Sequence, residues 1–347
     1  MKISGTVLKQ LCDTFHFPIE NDPAVLFAFR GCLPSDVHQS VTKDSILFRN
    51  SDEVNRTRVN YNNPRCTIGI WDRVADKIAL FPGSTLPSKD YVRRHPSSVS
   101  SLNVLCPGCY HLRKGIHPRN ERGFQPHSAL LMDGFGIVGI PHVNEKTGFS
   151  SRIATYDVVR PGDNLHAGRM EPLLNVYSSV LNLKYSSSGC ITVVGQPAEY
   201  LQYNHRHTAW NSWTTFIESE ILTNQKNFHF LLFNFDDLNA TTVSKSNLIR
   251  YGSKRHEVSE IQYLLGGIVN ANTGKLYYSG DLHCSFSDIT AVSYFTFFKD
   301  YFSSIPGWEI QPQSFFTKTK HFRNRTKHFK TPLTPSENVI HRSSANY

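Results

Sequence analysis

The sequence predicts a mainly β fold with a small α-helical module, α+β overall. Three observations carry that reading. Residues 23–95 break into short apolar runs, AVLFAFRG, DSILFRN, CTIGIWD and KIALFPG, each closed by Gly, Asn or Asp as strands separated by turns are. Apolar residues at three- and four-residue spacing, the mark of a helix face, come later, at Trp210, Trp213, Ile217 and Ile221 and again beyond residue 254. A chain of 347 residues, 39% hydrophobic and 12% aromatic, can fill a sizeable core, which excludes a disordered, collagen-like or coiled-coil protein.

Taken in order, the segment from Ser101 to Phe124 reads as a loop and strand punctuated by Gly and Pro. HSALLMDGFGIVGIPH and RIATYDVV read as further strands. NLHAG, beginning at Asn164, precedes a looping stretch, and SSSGCITVVGQP carries a buried strand that starts at Cys190. NFHFLLFNF is another strand. The polar run DDLNATTVSKSNLIRYGSKRHE reads as a linker. VSEIQYLLGGIV and DITAVSYFTFFKDYF have helical spacing and flank a hairpin-like NANTGKLYYSGDLHC. No internal repeat is present.

Net charge is +9, but its position matters more than its sum. From Lys318 onward seven basic residues face Glu337 alone, so six of the nine positive charges sit there and three in residues 1–317. A body so nearly neutral argues against an extended nucleic-acid groove. The segment 313–347 reads as a basic flexible tail suited to an anionic surface, whether nucleic acid, lipid or teichoic acid. The opening MKISGTVLKQLCDTFHF lacks the apolar core of a signal peptide, and no stretch approaches the roughly 18 apolar residues of a membrane span.

Seven cysteines are too few for a disulfide scaffold, and the odd number leaves at least one thiol without an internal partner. A cysteine nucleophile acts as the thiolate and needs a base to form it. Ser187-Ser188-Gly189-Cys190, with Asn164-Leu165-His166-Ala167-Gly168 upstream, supplies both elements. Glycine before the nucleophile lets the backbone turn tightly and aim N–H groups at a developing oxyanion.

An SxGC motif entering an apolar strand, with an NxH-Gly element two dozen residues upstream, resembles the catalytic signature of the L,D-transpeptidase family of the YkuD type. Pro107-Gly108-Cys109-Tyr110 followed by Gly115-Ile116-His117 is similar to the PGxYxxxxGxH strand of phage- and effector-associated members. Phe27-Ala28-Phe29-Arg30-Gly31 and Phe81-Pro82-Gly83-Ser84-Thr85 resemble their FGxRG and FxGT segments. The spacing from His166 to Cys190 is longer than usual for that family. The resemblance implies an L,D-transpeptidase-like β-sandwich with an N-terminal elaboration over residues 1–235. It implies Cys190 as nucleophile and His166 as general base and then acid. Gly189 and Cys190 would supply backbone donors, Ser187 and Ser188 would line the pocket, and Tyr110, His117, Arg152 and Asn164 are substrate-binding candidates. Residues 254–312 resemble a small helical peptidoglycan-binding module, through Val258, Ile261, Gln262, Leu264, Leu265 and the Ser287–Phe295 helix.

The activity implied is transfer or hydrolysis at the L,D-bond of peptidoglycan stem peptides through a Cys190 thioester, with no cofactor and no metal. Implied partners are peptidoglycan and a delivery machinery or immunity protein. The implied location is the periplasm or cell wall, reached from the cytoplasm by a route other than a signal peptide, as an antibacterial effector or a phage component. The alternative is a non-catalytic cell-wall-binding or virion protein that keeps the fold. Cys106-Pro107-Gly108-Cys109 is a CxxC that could be redox-active, a local disulfide or two ordinary thiols. No second CxxC completes a zinc site, and His205, His207 and His283 are scattered.

Overall fold

The computed structural model describes residues 1–19, 21–36, 48–94, 102–117, 126–144, 148–168, 187–195, 212–239, 247–302 and 307–325. Strand β1 (Lys2–Ser4) runs into helix α1 (Gly5–Phe15). The Ser4 hydroxyl caps that helix by accepting from the Val7 N–H, and Leu8, Leu11, Cys12 and Phe15 bury one face of it. Strands β2 (Ala24–Arg30), β3 (Cys32–Pro34), β4 (Ser51–Arg56), β5 (Cys66–Asp72) and β6 (Lys77–Ser84) follow, then the short helix α2 (Lys89–Arg94). Next come β7 (Val104–Leu105), β8 (Gly108–His117), β9 (His127–Leu131), β10 (Gly136–Asn144) and β11 (Gly148–Val159). The DSILFRN run lies mostly outside the described residues. Strand β4, central in its small sheet but with one buried residue in six, has no apolar pattern to announce it.

Beyond them lie β12 (Leu165–Ala167), β13 (Ile191–Val193), helices α3 (Ser212–Ile217) and α4 (Glu220–Asn224), and β14 (Asn227–Asn234). The protein is mainly β, as the strand and turn punctuation predicts. Where the resemblance implied a sandwich, eight strands close into a barrel in the order β12-β13-β6-β5-β2-β14-β8-β9. Two neighbour pairs, β2 with β14 and β12 with β13, are parallel. Small sheets β1-β4-β3 and β11-β10-β7 stand beside the barrel.

Side chains alternate between two cores, as strand geometry requires. Leu26, Ala28, Ile68, Ile70, Phe81, Phe230 and Leu232 face one cluster. Val25, Phe27, Phe29, Leu231 and Phe233 face the other, which α1 covers with Leu8, Leu11 and Phe15.

A 3-10 helix (Phe235–Asn239) leads toward helices α5 (His256–Gly266), α6 (Asp288–Tyr301) and α7 (Pro312–Arg325). Their buried residues, among them Val258, Ile261, Phe297 and Phe315, join the same cluster as Leu26 and Phe230. The helical segment therefore shares a continuous core with the barrel. The supposed linker is also built in over its later part. Leu248, Ile249, Arg250, Tyr251 and Ser253 are buried, and the Cys109 N–H donates to the Tyr251 carbonyl. Gly252 has φ +86°, and a Cβ there would stand 2.4 Å from the Cys109 carbonyl oxygen. The expected mobile tail needs correction over 313–325, which are helical, with Phe315 and Thr319 buried. Phe315 packs against Tyr294 and Phe298 of α6. Residues 326–347 lie outside the described residues.

Arg250 ties these parts together. Its guanidinium gives Asp237 a bidentate pair of hydrogen bonds, at 2.9 and 3.0 Å, and reaches Glu309 at 2.6 Å. The same group lies 3.6 Å from the Phe15 ring centre and 4.8 Å from that of Trp308. Side-chain exposure is 1% for Arg250 and 3% for Asp237. A buried arginine must be paired in this way, because an uncompensated charge out of water is very costly.

Candidate functional site

The parallel pair β12 and β13 brings the two motif segments together. Leu165 pairs with Ile191, His166 with Thr192 and Ala167 with Val193, so Cys190 stands at the mouth of β13 beside the strand that carries His166. Leu165, Ala167, Ile191 and Val193 bury themselves in the core. Alternation sends His166 to the opposite face. On β8, Tyr110 and Leu112 point into that core, so His117, an odd number of residues away, emerges on the face of His166. It pairs directly with His127 across β8 and β9.

The outcome is a cluster of His117, His166 and Cys190 in which one donor atom from each lies within 4.8 Å of the others. The His117 and His166 rings stack at 4.8 Å with 18° between their planes. His127 stands edge-on to both, at 5.6 and 5.7 Å. His166 Nδ1–H donates to the Ala167 carbonyl at 2.7 Å, which leaves the lone pair on Nε2. His117 is set the other way. Asn164 Oδ1 accepts from the Met132 N–H at 3.0 Å, which fixes the amide so that its nitrogen donates to His117 Nδ1 at 2.9 Å. Neutral His117 then carries its proton on Nε2.

Cys190 is 5% exposed, and burial pushes its thiol up to about 12, with the nearby Asp163 carboxyl acting in the same direction. Hydrogen bonds to the sulfur from the Asn164 backbone and the Ser188 hydroxyl pull the other way and are outweighed. Asp163, 2% exposed, is itself raised well above the usual carboxylate range by burial, against the influence of Arg30 and Asn103. With its amide nitrogen toward Asp163, Asn103 donates to both carboxyl oxygens, at 2.6 and 3.3 Å. Burial therefore disfavours the charged forms of both the Cys190 thiol and the Asp163 carboxyl. A base must take the thiol proton before the sulfur can attack, and His166 Nε2 is the group suited to it.

Gly189 is held at φ +147°, where a Cβ would meet Asp163 Oδ1 at 2.9 Å and the Asn103 carbonyl at 3.1 Å. Its N–H donates to Ser187 Oγ at 3.1 Å, and the Ser187 hydroxyl donates to the Cys190 carbonyl at 2.8 Å. This corrects two expectations. Gly189 serves the turn with its N–H committed internally, and buried Ser187 staples that turn instead of lining a pocket. Ser188, half-buried, does reach the sulfur.

Among the substrate-binding candidates, His117 joins the site. Asn164 positions His117 and offers both ends of its amide to the protein. Tyr110 is a core residue, 1% exposed, its hydroxyl donating to the Cys106 carbonyl at 2.6 Å and its ring stacked on Tyr251. Arg152 lies on β11 in a stretch whose side chains are outside the described ones. His205 and His207 also fall outside the described residues. Cys106 and Cys109 are buried thiols, not a disulfide.

Asp163, Asn103 and His127 escaped the sequence reading, and Arg30 entered it only as part of the FAFRG segment. Arg30 ends β2 and donates to Thr85 Oγ1 at 2.9 Å and to the Leu105 carbonyl at 2.7 Å, joining the FAFRG and FPGST segments. It also lines a cleft of about 750 Å³ with Arg56, Arg58, Arg250, Trp308 and Glu309, which His117, His166 and Cys190 do not border. No family model matches the chain, and no curated protein or solved structure matches it.

Proposed function

We propose that the protein is a cysteine acyltransferase or peptidase acting on peptidoglycan stem peptides. The observation that carries the chemistry is the pairing of Cys190 with a histidine whose Nδ1–H is tied to a carbonyl, so that Nε2 can serve as base. The choice of substrate rests on the resemblance of SSGC and NLHAG to the L,D-transpeptidase signature. The barrel would be this chain's version of that family's β-fold.

In the proposed reaction the Cys190 S–H proton passes to His166 Nε2 as sulfur attacks the carbonyl on the L-centre side of the L,D-bond. Collapse of the tetrahedral adduct breaks the C–N bond. The departing D-amino acid takes the proton from His166, and a thioester remains. An amine acceptor resolves it by transpeptidation or exchange, water by carboxypeptidase action. The Nε2–H of His117 is suited to donate to the developing oxyanion, a role left open by the internal use of the Gly189 N–H. Delivery to the cell wall as an effector or phage component belongs to the same reading, with the helical segment and basic residues as wall-facing parts. Burial of Cys190 favours a second reading, a wall-binding or virion protein in which the pair is silent.

Purified sacculi incubated with the wild type and with Cys190→Ala, followed by mass spectrometry of the muropeptides, test the proposal. The expected result is altered muropeptides with the wild type alone. If neither protein changes them while both sediment with sacculi, the enzyme reading fails and the binding reading stands.

A further inference from the structure

We infer that His117, His166 and Cys190 form a binding site for a thiophilic divalent cation, Zn²⁺ being the type ion, and that Asn164 keeps its affinity low. The donor set is one thiolate and two imidazoles, the borderline-soft combination that zinc selects, and three protein ligands leave a fourth position for water. Tetrahedral zinc with bonds of about 2.0–2.3 Å holds its donors about 3.3–3.6 Å apart. Here they already lie within 4.8 Å, so side-chain movements on the order of 1 Å close the site. All three ligands project from paired barrel strands or the residue next to one, so the backbone needs no rearrangement. Binding breaks the Cys190 S–H bond, releases that proton to solvent and forms a sulfur–metal bond.

The two histidines are prepared differently. His166 has its Nδ1–H held by a backbone carbonyl, the outer hydrogen bond that fixes the ring of a metal-ligating histidine. His117 is opposed at both nitrogens, because Asn164 occupies Nδ1 and thereby places the proton on Nε2. The Asn164 amide cannot simply turn over, since its oxygen accepts from the Met132 N–H. A carboxylate at position 164 would accept from Met132 and from a proton on His117 Nδ1 together, leaving His117 Nε2 to bind metal. Asn164 thus tunes the cluster toward acid–base work and away from permanent loading. Cation binding does not depend on the acyltransferase reading; only the inhibition that follows from capturing the Cys190 sulfur does.

The full chain, stripped with a chelator, is titrated with Co²⁺ while the thiolate-to-metal charge-transfer absorption is followed, and Zn²⁺ affinity is read by competition. One equivalent is expected to give the band. Cys190→Ser abolishes it, whereas Cys284→Ser, which removes the most exposed thiol, leaves it. His117→Ala weakens binding by about tenfold or more, and Asn164→Asp tightens it by about ten- to a hundredfold. A band that survives Cys190→Ser, or no band at all, overturns the site. Should Cys190→Ser fail to fold, the Asn164→Asp comparison decides, and equal or weaker affinity in that variant overturns the inference. Muropeptide release blocked by Zn²⁺ and restored by chelator supports the inhibitory consequence. Metal binding without any muropeptide change leaves the site standing and removes the acyltransferase reading.

Discussion

Arg250→Met removes the guanidinium and leaves Asp237, with 3% side-chain exposure, without its bidentate partner, while Glu309 at 32% can turn to water. Breaking one side of a buried ion pair costs about 3–5 kcal/mol. For a chain of 347 residues the unfolding entropy is about 0.7 kcal/mol/K, so the melting temperature should fall by about 4–7 °C. Differential scanning calorimetry and urea denaturation followed by tryptophan fluorescence measure the change. Arg56→Ala, which breaks an ion pair to Asp236 with side chains 67% and 63% exposed, is the control and should shift the midpoint by less than about 1 °C. Arg250→Met combined with Asp237→Leu should recover most of the loss, because the stranded charge goes with its partner. Because Arg250 bridges α1, the end of β14 and the Trp308 segment, the transition should stay single. A fall below about 1 °C for Arg250→Met, or a second transition that moves alone, refutes the reasoning.

Gly189→Ala forces a β-carbon into a backbone region that disfavours it and against Asp163; destabilisation of about 1–3 kcal/mol in urea, with loss of muropeptide turnover, is expected. In the native protein a thiol reagent should modify Cys284 first, since the other six cysteines are buried, and Cys284→Ser should remove the fast phase. The Arg255 guanidinium holds the Glu257 carboxyl below its ordinary value of 4.5. Its contribution to stability is therefore present above that pH and lost as pH falls through the lowered value, so the difference in melting temperature between wild type and Glu257→Gln should shrink as the pH is taken progressively below 4.5.

What could be read beforehand depended on how local the signal was. β2, β5, β6 and β14 announce themselves through apolar runs ended by turn residues, and Cys190 with His166 through a motif whose chemistry requires both. Helix α1 carries a local signal too, in the Ser4 cap and the spacing of Leu8, Leu11, Cys12 and Phe15. Arg250 sits in a polar run that reads as linker, because nothing local reveals that Asp237 and Glu309 await it. His127 enters the site only through its pairing with His117, and Asp163 only through burial beside Asn103. Tyr110 shows the converse. Its neighbours matched a motif, yet strand alternation turns it into the core while His117 faces outward.

Parallel pairing of β12 and β13 makes the chain between His166 and Cys190 a tether and not a ruler. Parallel neighbours require a crossover, and the extended reach of the twenty-odd residues between them, at up to about 3.5 Å each, far exceeds the return journey. Three ladder pairs set the two strands side by side, whatever the number of residues between them. A His-to-Cys spacing longer than that of the family the motif resembles is thus no obstacle to their meeting. A search that insists on one fixed interval between histidine and cysteine will pass over sites built this way.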